Sequence, residues 1–164
     1  MLKKVYVETT VVSYLTARPS RQEQMRLDQE ATKQWWAGCR DYCDLYASLL
    51  VVQEAENGDP KAAAERLAVL RDFTILRPDD RMRKLARRFV KEGAIPPTER
   101  EDALHVAIAA ASGMDYLLTW NLRHIKNLAQ QAEIERICRK SGVEPPVIHT
   151  PRELEEAHRA QSHP

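Results

Sequence analysis

Hydrophobic positions along the chain fall into short apolar runs that are separated by longer stretches with helical spacing. Short runs such as "VYV" at residues 5–7 are typical of buried strands, and apolar residues three or four apart predict amphipathic helices. The strands that we predict span residues 4–8, 43–47, 73–78, 115–120 and 147–149. The predicted helices span residues 21–38, 48–57, 59–72, 80–92, 98–112 and 127–141, and a short last helix opens at residue 150.

Residues at the ends of these helices support the assignment. Ser48 and Asp59 are residue types that cap helix N-termini, and a proline follows Asp59 at the first helical position. Residues 98–101 and 150–153 both read T-x-x-E, the spacing of a capping box. Strands that alternate with helices predict an α/β fold with a mainly parallel sheet.

The chain has 164 residues and a formal net charge of +1, so bulk charge does not predict nucleic-acid binding. We expect one domain over residues 1–157 and a polar, frayed tail over residues 158–164.

No apolar stretch is long enough for a membrane span. The odd cysteine count, without C-x-x-C spacing, predicts reduced thiols that fill the core and a cytoplasmic location.

Four polar residues emerge from elements that are otherwise apolar. Glu8 ends the first strand, Glu54 follows an apolar helical stretch, Asp102 opens an alanine-rich helix, and Asn121 follows the strand "YLLTW". In a parallel sheet the binding crevice lies outside the carboxyl ends of the strands. Converging carboxylates repel one another, and a bound divalent cation is a common solution. Oxygen ligands of this kind suit Mg²⁺ or Mn²⁺, and the chemistry implied is phosphodiester hydrolysis.

Each of these residues also has a structural interpretation. Glu8 is alternatively a helix N-terminal or turn residue, and Glu54 a solvent-facing residue of an amphipathic helix. Asp102 is favourable at the positive end of its helix in any case, and Asn121 is a common turn residue. The set is more informative than any member, because all four residues occupy comparable positions in the topology.

The segments that carry these residues resemble PIN-domain proteins, in particular the VapC-like toxins of type II toxin–antitoxin systems. The resemblance covers about residues 3–155 and rests on "VYVETTVVSYL", "SLLVVQEAENGD", "REDALHVAIAAASGMDYLLTWN" and "TWNLRHIKN". It implies a three-layer α/β/α sandwich and a Mg²⁺- or Mn²⁺-dependent endoribonuclease. Glu8, Glu54 and Asp102 match the first three acids of the family. Asn121 matches a position where many members have a fourth aspartate.

The resemblance also implies partners and departures. It implies an RNA substrate, a cognate antitoxin protein and a homodimer. Glu8 stands where aspartate is more common, and Asn121 carries no charge, so a degenerate domain that binds RNA or a protein without cleavage is the alternative. A nucleotide-binding α/β domain is disfavoured because the chain has no glycine-rich phosphate loop.

Further residues near the predicted site have the chemistry to contact RNA. Thr9 and Thr119 offer hydroxyls for Glu8 or a phosphate, or else bond locally to the backbone. Arg123 and His124 follow Asn121 in a predicted loop that suits phosphate contact. His105 shares a helix face with Asp102 and is either a partner of the acids or a buried core histidine.

The helix predicted at residues 80–92 holds the densest positive charge of the chain. Met82, Leu85, Ala86 and Phe89 mark its buried side, and basic residues surround the exposed side. We expect Arg83, Arg87 and Arg88 to line one wall of an RNA groove, because phosphate contacts supply the sequence-independent part of binding. A merely solvated face is the alternative.

Overall fold

The computed structural model describes residues 1–162 and has a five-stranded, all-parallel sheet with strand order β3-β2-β1-β4-β5. The strands are β1 (Lys3–Val7), β2 (Cys43–Ser48), β3 (Thr74–Leu76), β4 (Tyr116–Leu118) and β5 (Val147–His149). The chain builds the sheet outward from β1 in one direction through β3 and then in the other through β5. The strand order therefore reverses between β1 and β4, and a crevice is expected at their carboxyl ends.

Helices connect and flank these strands, which confirms the predicted α/β sandwich. The helices are α1 (Thr9–Thr16), α2 (Glu23–Gly38), α3 (Leu49–Ala55), α4 (Pro60–Leu70), α5 (Asp80–Lys91), α6 (Arg100–Ala111), α7 (Leu128–Lys140) and α8 (Pro151–Ser162). They pack in two sets, with α5 against α6 and α7, and α2 against α1 and α8. Because parallel strands need both faces covered, two helical sets are what this sheet requires.

The sequence pattern does not predict α1, which follows directly after β1. Its first residues are β-branched and have low intrinsic helix propensity, so the local signal is weak. The helix forms because Val11 and Val12 are buried in the core and the Glu8 carboxylate caps the first turn. Glu8 is therefore a helix N-cap one residue beyond β1, and not the last residue of a strand over residues 4–8.

Two of the predicted helix caps are formed as expected. The Ser48 hydroxyl accepts the backbone N–H of Val51 at 3.3 Å, and the Asp59 carboxylate accepts that of Ala62 at 2.9 Å. Each side chain satisfies a donor that has no partner within its helix. The first turns of α3 and α4 are thereby fixed, and because Ser48 is also the last residue of β2, its cap sets the direction in which α3 leaves the strand.

Of the two predicted capping boxes, one forms and one does not. At the start of α8 the Thr150 N–H donates to Glu153 Oε2 at 2.8 Å, and the Glu153 N–H donates to Thr150 Oγ1 at 3.2 Å. The box predicted over residues 98–101 is wrong, because α6 begins at Arg100 and Glu99 is its N-cap residue. The carboxylate of Glu99 is consequently left to face the neighbouring loop.

The last helix is longer than the sequence indicates. Residues 158–164 are predicted to be a frayed tail, whereas α8 continues to Ser162. The His158 ring stacks on Tyr42 with ring centroids 3.7 Å apart, and this contact holds the C-terminal turns against the protein. Residues 163–164 of the predicted tail lie outside the described residues.

The hydrophobic core lies on both sides of β1, whose residues Val5, Tyr6 and Val7 are at most 1% exposed. The three cysteines are buried free thiols, as predicted. The buried stripe of α5 is also as predicted, with Met82 and Phe89 facing the core.

Among residues 1–162, every helix is too short or too polar to span a bilayer.

One buried hydrogen bond fixes the end of β4 relative to α2. The indole N–H of Trp120 donates to Thr32 Oγ1 at 2.8 Å, and that hydroxyl donates to the Asp28 carbonyl at 2.7 Å. The Thr32 side chain is fully buried. The segment that follows Trp120 contributes to the candidate site, so this bond anchors the site to the core.

We predict that Thr32→Val lowers the free energy of unfolding by about 1–3 kcal/mol, because the isosteric side chain leaves a buried indole N–H without a partner. Chemical denaturation followed by circular dichroism measures the change. Thr16→Val is the matched control, since the Thr16 hydroxyl returns to the Val12 carbonyl of its own helix at 3.2 Å. Equal losses in the two variants would contradict this role of Thr32.

Candidate active site

Three carboxylates and one imidazole gather at the carboxyl ends of β1 and β2 and at the start of α6. Glu8 caps α1, Glu54 lies in the last turn of α3, and Asp102 lies in the first turn of α6. The fully buried His105 is near enough to all three carboxylates that each of them raises its pKa. Glu54 contacts His105 directly, and the charges of Glu8 and Asp102 act on the pKa of the same side chain.

Glu8 is 4% exposed and uses a single oxygen for its protein contacts. Its Oε2 accepts the N–H of Thr10 at 3.1 Å, the Thr119 hydroxyl at 2.9 Å and the Thr10 hydroxyl. Burial raises the pKa of Glu8, while His105 and these hydrogen bonds act in the opposite direction. The carboxylate is thus held in one orientation, with its charge only partly compensated.

Glu54 ends a chain of hydrogen bonds that continues through buried side chains. Its Oε1 accepts the Thr9 hydroxyl at 2.8 Å and lies 2.5 Å from His105 Nε2. His105 Nδ1 lies 2.7 Å from the Tyr6 hydroxyl, which lies 2.8 Å from Ser48 Oγ. The chain ties β1, the cap of α3 and α6 to the orientation of one carboxylate.

The protonation of this pair follows from its surroundings. Burial acts to lower the pKa of His105, but the hydrogen bond to Glu54 and the charges of Glu8, Glu54 and Asp102 outweigh it and raise the pKa. Burial likewise acts to raise the pKa of Glu54, and His105 and Thr9 outweigh it and lower the pKa. We therefore assign an imidazolium beside an ionised Glu54, with both ring nitrogens donating hydrogen bonds.

Asn121 connects Asp102 to the loop that follows β4. Its Nδ2 donates to Asp102 Oδ2 at 3.0 Å, and its Oδ1 accepts the backbone N–H of His124 at 2.9 Å. Burial raises the pKa of Asp102, against the hydrogen bond from Asn121. Both ends of the Asn121 amide are engaged, so Asn121 positions Asp102 and His124 relative to each other.

Each of the three carboxylates leaves one oxygen without a protein donor. Within residues 1–162, no hydrogen bond reaches Glu8 Oε1, Glu54 Oε2 or Asp102 Oδ1. The buried side-chain atoms without a partner in this part of the chain lie at Trp35, Tyr42 and His149. Within the described residues, each acid thus keeps one carboxylate oxygen that no protein donor engages.

Within residues 1–162, the one group of possible metal ligands that lie close to one another contains Asp102 but neither Glu8 nor Glu54. One ligand atom from each of Glu99, Asp102 and His124 lies within 4.8 Å of the other two. Sequence reasoning does not identify Glu99 as a site residue and predicts only a phosphate contact for His124. The sequence feature that could have identified Glu99 is its position three residues before Asp102, a spacing that places both residues on one helix face.

The predicted RNA-contacting residues divide into two groups. Thr9 and the fully buried Thr119 donate their hydroxyls to the carboxylates of Glu54 and Glu8, so their direct partners are the acids. Arg123 is exposed in the loop after β4, and His124 beside it is half-buried. Direct phosphate contact by Arg123 and His124 stays a prediction, and Thr9 and Thr119 position the acids.

The basic side of α5 also divides in two. Arg83 and Arg87, together with Lys91 and Arg100, line a groove of about 530 Å³ between α5 and α6. Arg88 points away from this groove, because its guanidinium donates to Glu92 Oε2 at 3.0 Å and to the hydroxyl of a serine in the turn after α7 at 2.6 Å. Phosphate contact by Arg88 is thus disfavoured by its present partners.

Comparison with known proteins agrees with this architecture. The structure of VapBC2 from Rickettsia felis, bound to a DNA fragment from its promoter, matches with a TM-score of 0.57 and 13% identity, covering 90% of this chain and 98% of that one. The structure of VapC20 from Mycobacterium tuberculosis, a toxin that cleaves the sarcin–ricin loop, matches with a TM-score of 0.54 and 14% identity, covering 69% of this chain and 86% of that one. No protein-family model and no curated protein sequence matches the chain.

These matches confirm the predicted resemblance at the level of the fold. The PIN-like α/β architecture that the motifs imply is the architecture of two VapC toxin structures. At identities of 13% and 14% the likeness is one of fold, and the chemistry of this chain has to be argued from its own side chains.

We predict that, in EDTA, the free energy of unfolding falls as pH rises above about 6.5, the ordinary pKa of histidine. The folded state raises the pKa of His105, so it holds a proton that the unfolded chain releases, and the stabilisation is lost as pH passes through the folded pKa. The slope reaches at most about 1.4 kcal/mol per pH unit. Urea unfolding from pH 6 to pH 9 measures it.

The matched control is His105→Gln, which retains a polar side chain without a titrating proton. The slope should flatten in this variant. His149→Gln replaces a histidine whose pKa is lowered, chiefly by burial, and should leave the slope intact or steepen it. Wild-type stability that rises over the same pH range would contradict the protonation that we assign to His105.

Proposed function

We propose that this chain is a divalent-metal-dependent endoribonuclease and the toxin of a type II toxin–antitoxin pair. The observation that carries the proposal is the set of three carboxylates whose charges act on His105, each with one oxygen held by protein donors and one oxygen without a protein donor. A set of this kind at the reversal point of a parallel sheet suits a cation and an anionic substrate.

The donor set fits the metal that the resemblance implies. Glu8, Glu54 and Asp102 offer only oxygens, which Mg²⁺ and Mn²⁺ prefer. The raised pKa values of Glu8 and Asp102 mark uncompensated burial of negative charge, which a cation would relieve. We propose these three residues as the metal ligands, and Mg²⁺ or Mn²⁺ as the ion.

Protein groups fix each proposed ligand before any ion arrives. Thr10 and Thr119 hold Glu8, and Thr9 and His105 hold Glu54. A bound divalent ion would supply a water of lowered pKa and neutralise charge on the phosphate that is attacked. Because the ligands are already oriented, little reorganisation accompanies binding, and the carboxylates beside the crevice are placed to accept the proton of the attacking water.

The wider surface fits a nucleic-acid substrate and protein partners. Arg83 and Arg87 provide positive charge on α5 in a chain of net charge +1. The likeness to the R. felis VapBC2 structure and to a toxin that cleaves the sarcin–ricin loop supports RNA as the substrate class and an antitoxin as a partner. We propose a homodimer on the resemblance alone.

A binding module without nuclease activity is the second candidate. The observation in its favour is that Asn121, at the position of a fourth acid, engages both ends of its amide with Asp102 and His124. The site then has three carboxylates where many of the proteins it resembles have four. A protein that only binds RNA would do so with equal affinity in EDTA and in Mg²⁺.

We predict that the purified protein cleaves RNA in Mg²⁺ or Mn²⁺ and that EDTA abolishes the cleavage. Suitable substrates are a single-stranded RNA, a transfer RNA and a hairpin with the sarcin–ricin loop sequence, resolved on denaturing gels. Glu54→Gln and Asp102→Asn should each lower the rate by about a hundredfold or more, since each removes a charged ligand while keeping its shape.

The matched control is Glu65→Gln, an exposed acid on α4 outside the crevice. It should cleave at the wild-type rate. Cleavage that survives both EDTA and Asp102→Asn would contradict a metal-dependent mechanism. Metal binding without cleavage of any of the three RNAs would favour the binding module.

We also predict that Arg83→Ala with Arg87→Ala weakens RNA binding and reduces its salt dependence. For single strands the slope of log K against log salt should fall by about 0.7 for each phosphate that the double variant no longer neutralises. Fluorescence anisotropy between low and moderate salt measures the slope, in Ca²⁺ so that the RNA stays intact. Arg139→Ala, on an exposed face of α7, is the control; an unchanged slope in the double variant would exclude this groove as the RNA surface.

A further inference from the structure

An aromatic ring on α1 lies beside the end of the crevice that Glu8 occupies. Tyr14 stands one helical turn after Thr10, on the same face of α1, and the N–H and hydroxyl of Thr10 both donate to the Glu8 carboxylate. Burial and the charges of Asp28 and Glu8 raise the pKa of Tyr14, which places its hydroxyl near these two acids. The side chain is half-buried, so part of it is exposed next to a proposed metal ligand.

The indole of Trp120 fixes the plane of this ring. The two side chains are stacked, with ring centroids 5.8 Å apart and an angle of 15° between the ring planes. Trp120 is itself held at two points, because its backbone N–H donates to Thr10 Oγ1 at 2.9 Å and its indole N–H donates to Thr32 Oγ1 at 2.8 Å. Tyr14 is therefore oriented in advance, and little side-chain freedom is left to lose when a ligand binds.

A cation from α8 completes the support of the indole. The guanidinium carbon of Arg152 lies 5.7 Å from the centroid of the Trp120 ring, within the range of a cation–π contact. The same guanidinium donates to Asp28 Oδ1 at 3.1 Å, which joins α8 to α2. The stack of Tyr14 and Trp120 is thus held by residues of three helices.

The position of this stack distinguishes it from two other stacked pairs. Trp36 stacks on Phe73, which immediately precedes β3. Tyr42 stacks on His158 and immediately precedes β2. Both pairs therefore lie by the amino ends of strands, away from the crevice. The Tyr14 stack joins α1 to the segment that follows β4, and so lies at the carboxyl ends, where a ligand of a parallel sheet is expected.

We propose that the exposed part of Tyr14 is a stacking platform for a nucleobase of the RNA, in a nucleotide that flanks the phosphodiester at the carboxylates. The inference rests on the proposed function because it takes RNA as the ligand. Stacking of one base on an aromatic side chain raises affinity by about fivefold to a hundredfold and tolerates every base. Tyr14 therefore positions the strand and does not read its sequence, while the arginines of α5 contact phosphates.

The test compares two RNA probes that bind the full-length protein in Ca²⁺, with affinity measured by fluorescence anisotropy. One probe is an oligoadenylate of about ten nucleotides, and the other is an abasic strand with the same phosphates. The wild-type protein should bind the oligoadenylate more tightly. Tyr14→Leu should weaken binding of the oligoadenylate by about fivefold or more and leave the affinity for the abasic strand unchanged.

Tyr14→Phe separates stacking from the other roles of this residue, because it keeps the ring and removes only the hydroxyl. It should bind both probes with wild-type affinity. Tyr42→Leu is the matched control, since it removes a half-buried, stacked tyrosine at the other edge of the sheet, and it should keep the preference for the oligoadenylate. Equal weakening for both probes in Tyr14→Leu, or equal losses in Tyr14→Leu and Tyr14→Phe, would overturn the proposal.

A measurement on the wild-type protein does not depend on how the variants fold. An RNA strand that carries iodouridine is bound in Ca²⁺ and irradiated, and the cross-linked peptide is identified by mass spectrometry. The cross-link should fall on Tyr14, because iodouracil couples to an aromatic ring on which it stacks. Cross-links at other residues alone would overturn the proposal.

These outcomes are separate from those of the cleavage assay. If Tyr14 supplies the preference for bases and no RNA is cut in Mg²⁺ or Mn²⁺, the platform stands and the nuclease proposal fails. If RNA is cut and Tyr14→Leu changes neither affinity, the nuclease stands and the platform fails. A wild-type protein that binds neither probe would overturn the platform together with RNA as the ligand.

Discussion

The site depends on one contact, that between the buried His105 and the half-buried Glu54. An uncompensated carboxylate costs several kcal/mol in a buried position, and three carboxylates in one crevice also repel one another. A protonated imidazole at their centre lowers that cost without filling the crevice, because its two nitrogens are used by Glu54 and Tyr6. Glu54 therefore stays ionised beside His105, whereas the raised pKa values of Glu8 and Asp102 show that their negative charge is only partly compensated.

The sheet order explains why these groups meet. β1 is the central strand and the order reverses beside it, so side chains that follow β1 and β4 face the same crevice. Glu8 follows one of these strands, and Thr119 follows the other and donates to Glu8. The all-parallel register thus converts positions far apart in the chain into a single site.

Much of the architecture could be predicted from local patterns, because short buried strands, helix caps at Ser48 and Asp59, and acids beside apolar runs leave clear signals. α1 could not, since its β-branched start disfavours a helix until tertiary burial of Val11 and Val12 stabilises it. The topology predicted that the three acids lie at one edge of the sheet, and the charges of all three act on His105.

The partners of the individual side chains were less predictable. Hydrogen bonds such as those from Thr119 to Glu8, or from Asn121 to Asp102, join residues 111 and 19 positions apart and depend on tertiary distances. The failed capping box at Thr98 shows the same limit: Glu99 takes the N-cap position, and its carboxylate becomes part of the crevice mouth. Local spacing predicted a helix start there, but not which residue would cap it.

Anomalous scattering from crystals grown with Mn²⁺ tests the central claim most directly, because it locates the ion without relying on activity. The account predicts a peak within about 2.0–2.3 Å of carboxylate oxygens in this crevice, with Asp102 among the ligands. A fully occupied peak remote from Asp102, or no peak in the crevice at saturating Mn²⁺, would contradict the claim that these carboxylates form a metal site.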